Sequence, residues 1–447
     1  MHIVVIGLGQ VGRHLLEVLE REGHDVVAID KDLAAVQYAE DHFDVMTLHG
    51  FGGTRETLER AGAAKSDLVV AVTDHDELNL VSALTAKTLG AKRVIARAQS
   101  AAWATRVDAV QYGLLGVDVV VNPRVLVAQE LAKIARSHGA LDVINLANER
   151  IELVQVELGE RTRMLNKPLA KMQLPRQTLV AAVVRSGELF VPGGADVLLE
   201  HDRIYLIGRA EDVMEAQDLF TSRKEANRVC IIGGGVIGQS LATFLAGRCA
   251  KVMIIEASRA RAENLATDLE GVVVVHGDGT DMQLLKQEEV GSFDLVAAVT
   301  QQDEVNLMAA LLARQVGASR VASLVQRGDY LPIYRQLGID IVLSPSVVAS
   351  DHIMRYCRES ELQSLTQLEG GKAEVLEFKA REGARALGVP LRRLKFPRGA
   401  LLAGIVHNDQ VVIPSGDDVV RSGDTVIVLT LASVRASVER IFRPRIL

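Results

Sequence analysis

Two glycine clusters, Gly7-Leu8-Gly9-Gln10-Val11-Gly12 and Gly233-Gly234-Gly235-Val236-Ile237-Gly238, share one spacing. An acidic residue follows the last glycine of each by 18 positions, Asp30 in the first and Glu256 in the second. A β-branched run precedes each cluster and an amphipathic run follows it. At a strand-to-helix turn, the first glycine makes the turn. The second lets backbone approach a pyrophosphate, and the third lets helix pack on strand. The helix N-terminus offers free N–H groups and partial positive charge to the anion. The carboxylate accepts hydrogen bonds from ribose hydroxyls and repels a 2′-phosphate, which favours NAD(H) or an adenine nucleotide over NADP(H). One such motif is a weak signal; two copies with the acid in register are a specific one.

Further residues fall at the carboxyl ends of the following strands, where such folds bind ligands. "HGFGGT" and "HGDGTD" end the third strand of each repeat. Asp278 is placed to contact adenine or ribose. Its counterpart Phe51 either stacks on the ligand or packs as an ordinary wall residue. Thr73 and Thr300 end the fourth strand, where the hydroxyl either faces the pyrophosphate or caps a helix. Asp76-Glu77 and Asp303-Glu304 read as acidic first turns of helices. Arg97 ends the fifth strand and pairs either with a phosphate or with a surface carboxylate. Its counterpart is Leu324, so the two sites are not equivalent. His49 and His276 read as strand-end residues and Cys230 as core. No H-E-x-x-H, zinc-ligand spacing or G-x-S-x-G occurs.

The elements that position these residues come as an internal repeat. Pro123, Pro168, Pro175 and Pro192 recur 222 positions later as Pro345, Pro390, Pro397 and Pro414. "LVVAVTDHDELNL" matches "LVAAVTQQDEVNL", and "GVDVVVNP" matches "GIDIVLSP". In the first repeat, strands are predicted at 2–6, 26–30, 45–49, 67–72, 93–97 and 118–121, with helical patterns between them. This alternation implies right-handed crossovers and a parallel sheet. Asn122-Pro123 and Ser344-Pro345 read as N-caps of helices leaving the sheet. Residues 151–220 and 373–442 show alternating strands with a short proline-led helix between the first two. The predicted fold class is therefore α/β: two Rossmann-like doubly wound domains, each followed by a small α+β module. The expected boundaries are 1–138, 141–222, 227–358 and 366–447.

The length of 447 residues suits several domains, and the 48% hydrophobic and 24% charged residues suit a folded globular chain. A net charge of -7 and a single tryptophan argue against a nucleic-acid-binding face. Three cysteines make no disulfide framework, which fits a reducing cytosol. The N-terminus lacks a basic lead, so no signal peptide is expected. The longest uncharged run, 229–247, holds five glycines and reads as strand, turn and helix rather than a membrane span.

A dehydrogenase usually adds a domain that presents an acid or base to the nicotinamide. Here each Rossmann-like unit adds only a small module without an evident catalytic constellation. Duplication suits a symmetric assembly in which nucleotide binding shifts domains. An NAD-dependent oxidoreductase and a scaffold with vestigial sites remain the alternatives.

Together "VVIGLGQVGRHLLEVL", "LVVAVTDHDELNL", "IIGGGVIGQSLA", "GDGTDMQLL", "AVTQQDEVNLMAALLA" and "SGDTVIVL" resemble the regulatory subunits of Trk-type potassium uptake. These belong to the family of domains regulating potassium conductance. The resemblance spans nearly the whole chain and implies a non-enzymatic subunit that responds to NAD(H) or ATP/ADP. It also implies a homo-oligomeric ring, a tetramer, on the inner face of the cell membrane beneath a potassium-translocating partner, with a different potassium channel or antiporter as the alternative partner. It carries site roles to residues 7–11, Asp30, Thr73, Asp74 and Arg97, and to residues 233–237, Glu256, Asp278 and Thr300. Phe51 and Leu324 depart from the family pattern. His201 stands where Gly423 precedes the matching Asp424, so that turn is expected to differ.

Overall fold

The computed structural model describes residues 1–100, 103, 109–136, 140–147, 150–159, 162, 164–175, 177–221, 226–357, 362–408 and 410–443. The first sheet has seven strands: β1 (His2–Ile6), β2 (Asp25–Asp30), β3 (Met46–His49), β4 (Leu68–Ala71), β5 (Arg93–Arg97), β6 (Val110–Tyr112) and β7 (Val119–Val121). Their order is β3-β2-β1-β4-β5-β7-β6. Around them lie α1 (Gln10–Arg21), α2 (Leu33–His42), α3 (Arg55–Arg60), α4 (Asp76–Leu89) and α5 (Pro123–Arg136). Residues 3–6 and 68–71 are wholly buried, as helices on both faces require of central parallel strands. Helix α1 buries Val11, Leu15, Leu16, Val18 and Leu19. It ends at a left-handed Gly23 (φ +74°), where the His24 N–H reaches the Leu19 carbonyl at 3.1 Å.

Strand β6 was not legible in the sequence, which suggested six strands. It is three residues long, too short for a period, and pairs antiparallel with β7.

The first small module contains β8 (Ala140–Leu146), β9 (Ile151–Glu157), β10 (Thr178–Arg185), β11 (Glu188–Phe190), β12 (Arg203–Gly208) and α6 (Ala210–Phe220). The second large sheet is β13 (Arg228–Ile232), β14 (Lys251–Glu256), β15 (Val272–His276), β16 (Leu295–Ala298), β17 (Val321–Leu324) and β18 (Ile341–Leu343). It carries α7 (Val236–Leu245), α8 (Arg259–Asp268), α9 (Met282–Gln287), α10 (Asp303–Gln315), α11 (Leu331–Gln336) and α12 (Pro345–Cys357). Helix α11, with Pro332 in its first turn, stands where the first repeat has β6. The last module holds β19 (Leu362–Leu368), β20 (Ala373–Lys379), β21 (Ala400–His407), β22 (Gln410–Val412), β23 (Thr425–Leu431) and α13 (Arg435–Phe442). The uncharged run at 229–247 becomes β13, the glycine turn and α7. No helix among the described residues is long and apolar enough to cross a membrane.

The chain divides into two compact units, one formed by residues 1–132 and 227–357, the other by 133–226 and 358–447. In the first unit the two Rossmann-like domains share a core. Ala349, Ile353 and Met354 of α12 join one buried cluster with Leu15, Leu16 and Leu19 of α1. Ser350 Oγ donates to the Val11 carbonyl at 3.3 Å, and Arg93 Nη1 donates to the Tyr356 carbonyl at 2.6 Å. The helix leaving the second sheet therefore docks on the first repeat. Asn122 Oδ1 caps α5 by accepting from the Arg124 and Val125 N–H groups at 3.1 and 3.3 Å. Ser344 stands at the N-cap of α12, where its carbonyl accepts the Val348 N–H at 3.0 Å, while its hydroxyl bonds to Gln326 and Ser346.

In the second unit the two modules pack their antiparallel sheets around one cluster that includes Leu153, Ile207, Val375 and Ile427. A polar key crosses it: Gln155 Nε2 donates to Glu369 Oε1 at 2.7 Å, and Arg203 pairs with Glu369 Oε2 at 3.0 Å. The turn at His201 corrects the expectation from sequence. His201 takes a left-handed backbone (φ +63°) like Gly423 (φ +88°). Each N–H closes the same bond, to Leu158 at 2.9 Å and Ala380 at 2.8 Å. The turn is conserved in shape and His201 bears the strain of its Cβ. His201→Gly is expected to stabilise the module by about 1 kcal/mol, and Gly423→His to destabilise its counterpart by a similar amount. Thermal unfolding of both variants checks this; midpoints that move the same way would contradict it.

Candidate functional site

The first glycine cluster sits between β1 and α1. Gly7 turns the chain with φ +99° and donates its N–H to the Ile29 carbonyl at 2.8 Å. Gly12 lies against it so closely that a Cβ there would stand 1.9 Å from the Gly7 carbonyl oxygen. A Cβ on Gly9 would meet nothing within 4 Å, so this backbone faces open space. In the second repeat, Gly238 stands in the same relation to Gly233 at 1.9 Å. Neither α1 nor α7 has a side-chain cap at its N-terminus, so the first-turn N–H groups of both remain available to an anion.

Asp30 and Glu256 do more than the sequence suggested. Asp30 Oδ2 accepts the Leu8 N–H at 2.7 Å, and Oδ1 accepts the Asp32 N–H at 2.9 Å. Glu256 repeats this with the N–H groups of Gly234 at 2.7 Å and Ser258 at 2.8 Å. Each acid fixes its own glycine loop. Each carboxylate oxygen keeps a further lone pair for a ribose hydroxyl.

A cavity of about 630 Å³ opens at the carboxyl end of the first sheet, within the usual size range of ligand sites. It is lined from the first repeat by residues 7–11, Asp30, Phe51, Thr73, Asp74 and Arg97. From the second repeat it takes Gly235, Val236, Ile237 and Thr300. Six of the sequence-predicted residues lie outside its lining: Gly12, Gly233, Gly234, Gly238, Glu256 and Asp278. Gly12 is buried behind the loop. Asp278 spends Oδ1 on its own turn, accepting from the Thr280 N–H and Oγ1, both at 2.8 Å. Phe51 is 48% exposed on the cavity rim.

Thr73 and Thr300 are neither free hydroxyls nor helix caps. Thr73 Oγ1 donates to Asn79 Oδ1 at 2.7 Å, and the Thr73 N–H meets the same oxygen at 2.8 Å. Asn79 Nδ2 donates to the carbonyls of Thr73 and Arg97, both at 2.9 Å. This buried amide ties the ends of β4 and β5 together. Asn306 does the same for Thr300 and Leu324. Sequence reasoning missed both asparagines; their signal was the D-E-x-N-L shared by the repeats. Asp76 Oδ2 accepts the Gln99 and Ser100 N–H groups, which holds the segment after β5. His49 and His276 each place Nε2 near a carbonyl beyond the second strand, Lys31 at 3.0 Å and Ala257 at 3.2 Å.

Arg97 is largely buried. Burial lowers its guanidinium pKa, as does the nearby Arg124 charge, while Asp76 and Asp74 oppose the shift. Its Nε has no hydrogen-bond partner among the described residues. The counterpart Leu324 is fully buried. Arg13, also on the cavity, stacks over Tyr38 at 4.0 Å and donates to the Leu8 carbonyl at 3.0 Å. Cys230 is core, and burial pushes its thiol pKa up.

Known proteins share this organisation. The TrkA-N domain matches residues 3–123 and 229–345, and the TrkA-C domain matches 153–221 and 375–443. A Trk system potassium uptake protein TrkA homolog 1 of Methanosarcina mazei is 34% identical over 99% of this chain and 100% of its own length. A TrkA homolog of Archaeoglobus fulgidus is 33% identical over 99% and 100%. Among solved structures, the GsuK RCK domain matches 99% of this chain and 94% of its own at 20% identity, with a TM-score of 0.62. The GsuK channel bound to NAD matches 99% and 78% at 18% identity, also with a TM-score of 0.62. These two likenesses show the fold.

Proposed function

Since the chain belongs to the TrkA family of Trk system potassium uptake proteins, we propose that it is a regulatory subunit of potassium uptake. It senses NAD(H), with ATP or ADP as further ligands, and through their occupancy gates a membrane potassium-translocating partner. It works as a homo-oligomeric ring, a tetramer, in the cytoplasm on the inner face of the membrane. The observation that carries this reading is the doubled cradle. Two uncapped helix N-termini, each behind a glycine turn held by an acid, open on one cavity between the repeats. Binding energy spent on such a cavity acts on both repeats at once, which is what a switch requires. A solved channel of this fold is bound to NAD, which makes the dinucleotide the first ligand to test.

Calorimetry of the full chain with NADH, NAD, ATP and ADP tests the reading. Submillimolar binding without consumption of NADH is expected. No binding of any of the four, or steady NADH oxidation with a small-molecule substrate, would overturn it. Asp30→Ala and Glu256→Ala are expected to weaken binding. Each lost charge-assisted hydrogen bond is worth about 1.5–3 kcal/mol. Unchanged affinity in both variants would remove the ribose and loop roles.

A further inference from the structure

The two small modules share a fold but not a charge. Residues 366–447 carry 13 Lys and Arg against 9 Asp and Glu, a net of +4, whereas residues 141–222 carry 9 against 13, a net of -4. The difference is concentrated in two loops of the second module, one after β20 and one before β23, at the sheet end where Lys379 pairs with Thr425. Backbone hydrogen bonds zip these loops together: Gly423 N–H to the Ala380 carbonyl at 2.8 Å, Gly388 to Val420 at 3.0 Å, Leu391 to Asp418 at 3.0 Å and Arg392 to Gly416 at 2.9 Å. Arg381, Arg385, Arg392, Arg393, Lys395 and Arg421 all stand exposed on them. Between these cations Leu391, Leu394 and Phe396 are half-buried against the module's core, which anchors the loop. The neighbouring acids offset little of the charge. Asp424 is buried and holds the Arg421 N–H and His407 Nδ1. Asp418 Oδ2 accepts the N–H and hydroxyl of Ser415 in its own turn. Asp417 meets Arg392 in an exposed pair, which is worth little in water. Arg385 and Arg393 pair with no acid among the described residues. Over 379–398 and 416–424 there are 8 cations to 4 acids, but over the matching 157–176 and 194–202 there are 5 to 5. Glu157, Ala170 and Leu199 stand where the second module has Lys379, Arg392 and Arg421.

Like charges gathered on one face repel one another, and an opposing anionic surface relieves that repulsion. The cations are spread along two loops rather than gathered round one point, which suits an extended anionic surface and not a single small anion. Clusters of about four to eight Lys and Arg are what the anionic lipids of a cytoplasmic leaflet attract. We propose that this end of the second module rests on anionic lipid headgroups of the inner leaflet, so that the chain touches the membrane directly as well as through its partner. The proposal rests on the reading above that places the chain at that membrane, and adds a lipid contact to it. The loops of a membrane-protein partner suit the face less well, because cytoplasmic loops carry an excess of Lys and Arg themselves. The chain's net charge of -7 makes the contact directional. An anionic surface repels the molecule as a whole and attracts it only when the cationic face is turned towards it.

Flotation of the full chain with vesicles of phosphatidylcholine, alone or with about 30% phosphatidylglycerol, tests this. Binding is expected to the anionic vesicles only. Raising potassium chloride from about 0.05 M to about 0.5 M should release the protein, because salt screens exposed charges. Arg385→Gln combined with Arg393→Gln changes two exposed side chains and leaves the fold intact. It is expected to weaken vesicle binding about 25-fold, at about fivefold for each cation. Lys167→Gln combined with Lys171→Gln makes the same change of charge at exposed positions of the first module, and should alter binding by less than about twofold. NADH affinity should be the same in both double variants as in the parent. Vesicle binding that is absent, that survives the loss of Arg385 and Arg393, or that falls equally in the first-module variant overturns the proposal. Inorganic polyphosphate binding without vesicle binding gives the face to a soluble polyanion, and attachment only to vesicles that contain the membrane partner gives it to that protein; either result overturns the proposal too. If NADH binds but vesicles do not, the nucleotide-sensing reading stands. If vesicles bind as described but no nucleotide does, the lipid face stands and the nucleotide reading falls.

Discussion

Gly12→Ala is expected to destabilise the first Rossmann-like domain by about 3 kcal/mol and to abolish ligand binding at its cradle. The new Cβ would stand 1.9 Å from the Gly7 carbonyl oxygen and 2.9 Å from its carbon. Neither partner can yield. Gly7 is pinned by its bond to Ile29, and its own face lies against Thr73, where a Cβ would approach the Thr73 nitrogen to 2.7 Å. Helix α1 must therefore lift off the loop, which breaks its packing on β1 and on α12. Gly9→Ala is the matched control. Its Cβ meets no protein atom within 4 Å, so the unfolding midpoint should hold while the methyl group intrudes on the ligand. Thermal unfolding and NADH titration of the pair separate the two roles. A Gly12→Ala protein with the parent midpoint and affinity would refute this account of the turn.

Asn79→Ala carries the second large effect. The side chain is fully buried and serves the Thr73 N–H and hydroxyl and the carbonyls of Thr73 and Arg97. Alanine leaves these groups without partners, at about 1–3 kcal/mol for each group that water cannot reach. A loss of about 4 kcal/mol is expected, since neighbouring penalties are not additive. Ligand affinity should fall as well, because Thr73 and Arg97 lose their common anchor. Asn79→Asp keeps the acceptor and loses the donor, so it should lie between alanine and the parent. Denaturant unfolding, with amide exchange at Thr73, reads both effects. An Asn79→Ala protein as stable as the parent would show that the amide holds nothing.

The glycine clusters, the matching acids and the doubled order of strands and helices were legible in the sequence because their signals are local. A turn that needs glycine and an apolar run of strand length carry their meaning within a few residues. The relation between Gly12 and Gly7 follows from the motif. The Asn79 clamp does not, because its partners lie on two strand ends joined only by folding. The His201 turn misled the reading, because a residue type states a preference while the surrounding hydrogen bonds impose the backbone.

By itself the sequence determined that this chain has two copies of a phosphate cradle, each at the start of a helix and each with its acid. Only the tertiary structure decided that the cradles are not separate. The apolar stripe of α12 carries no mark in the sequence of which repeat it covers. Packing against Leu15, Leu16 and Leu19 of α1 selects the other repeat and brings Arg97, Arg124 and the start of α7 around one cavity. Periodicity specifies which face of a helix is buried; which surface covers it depends on contacts hundreds of residues apart.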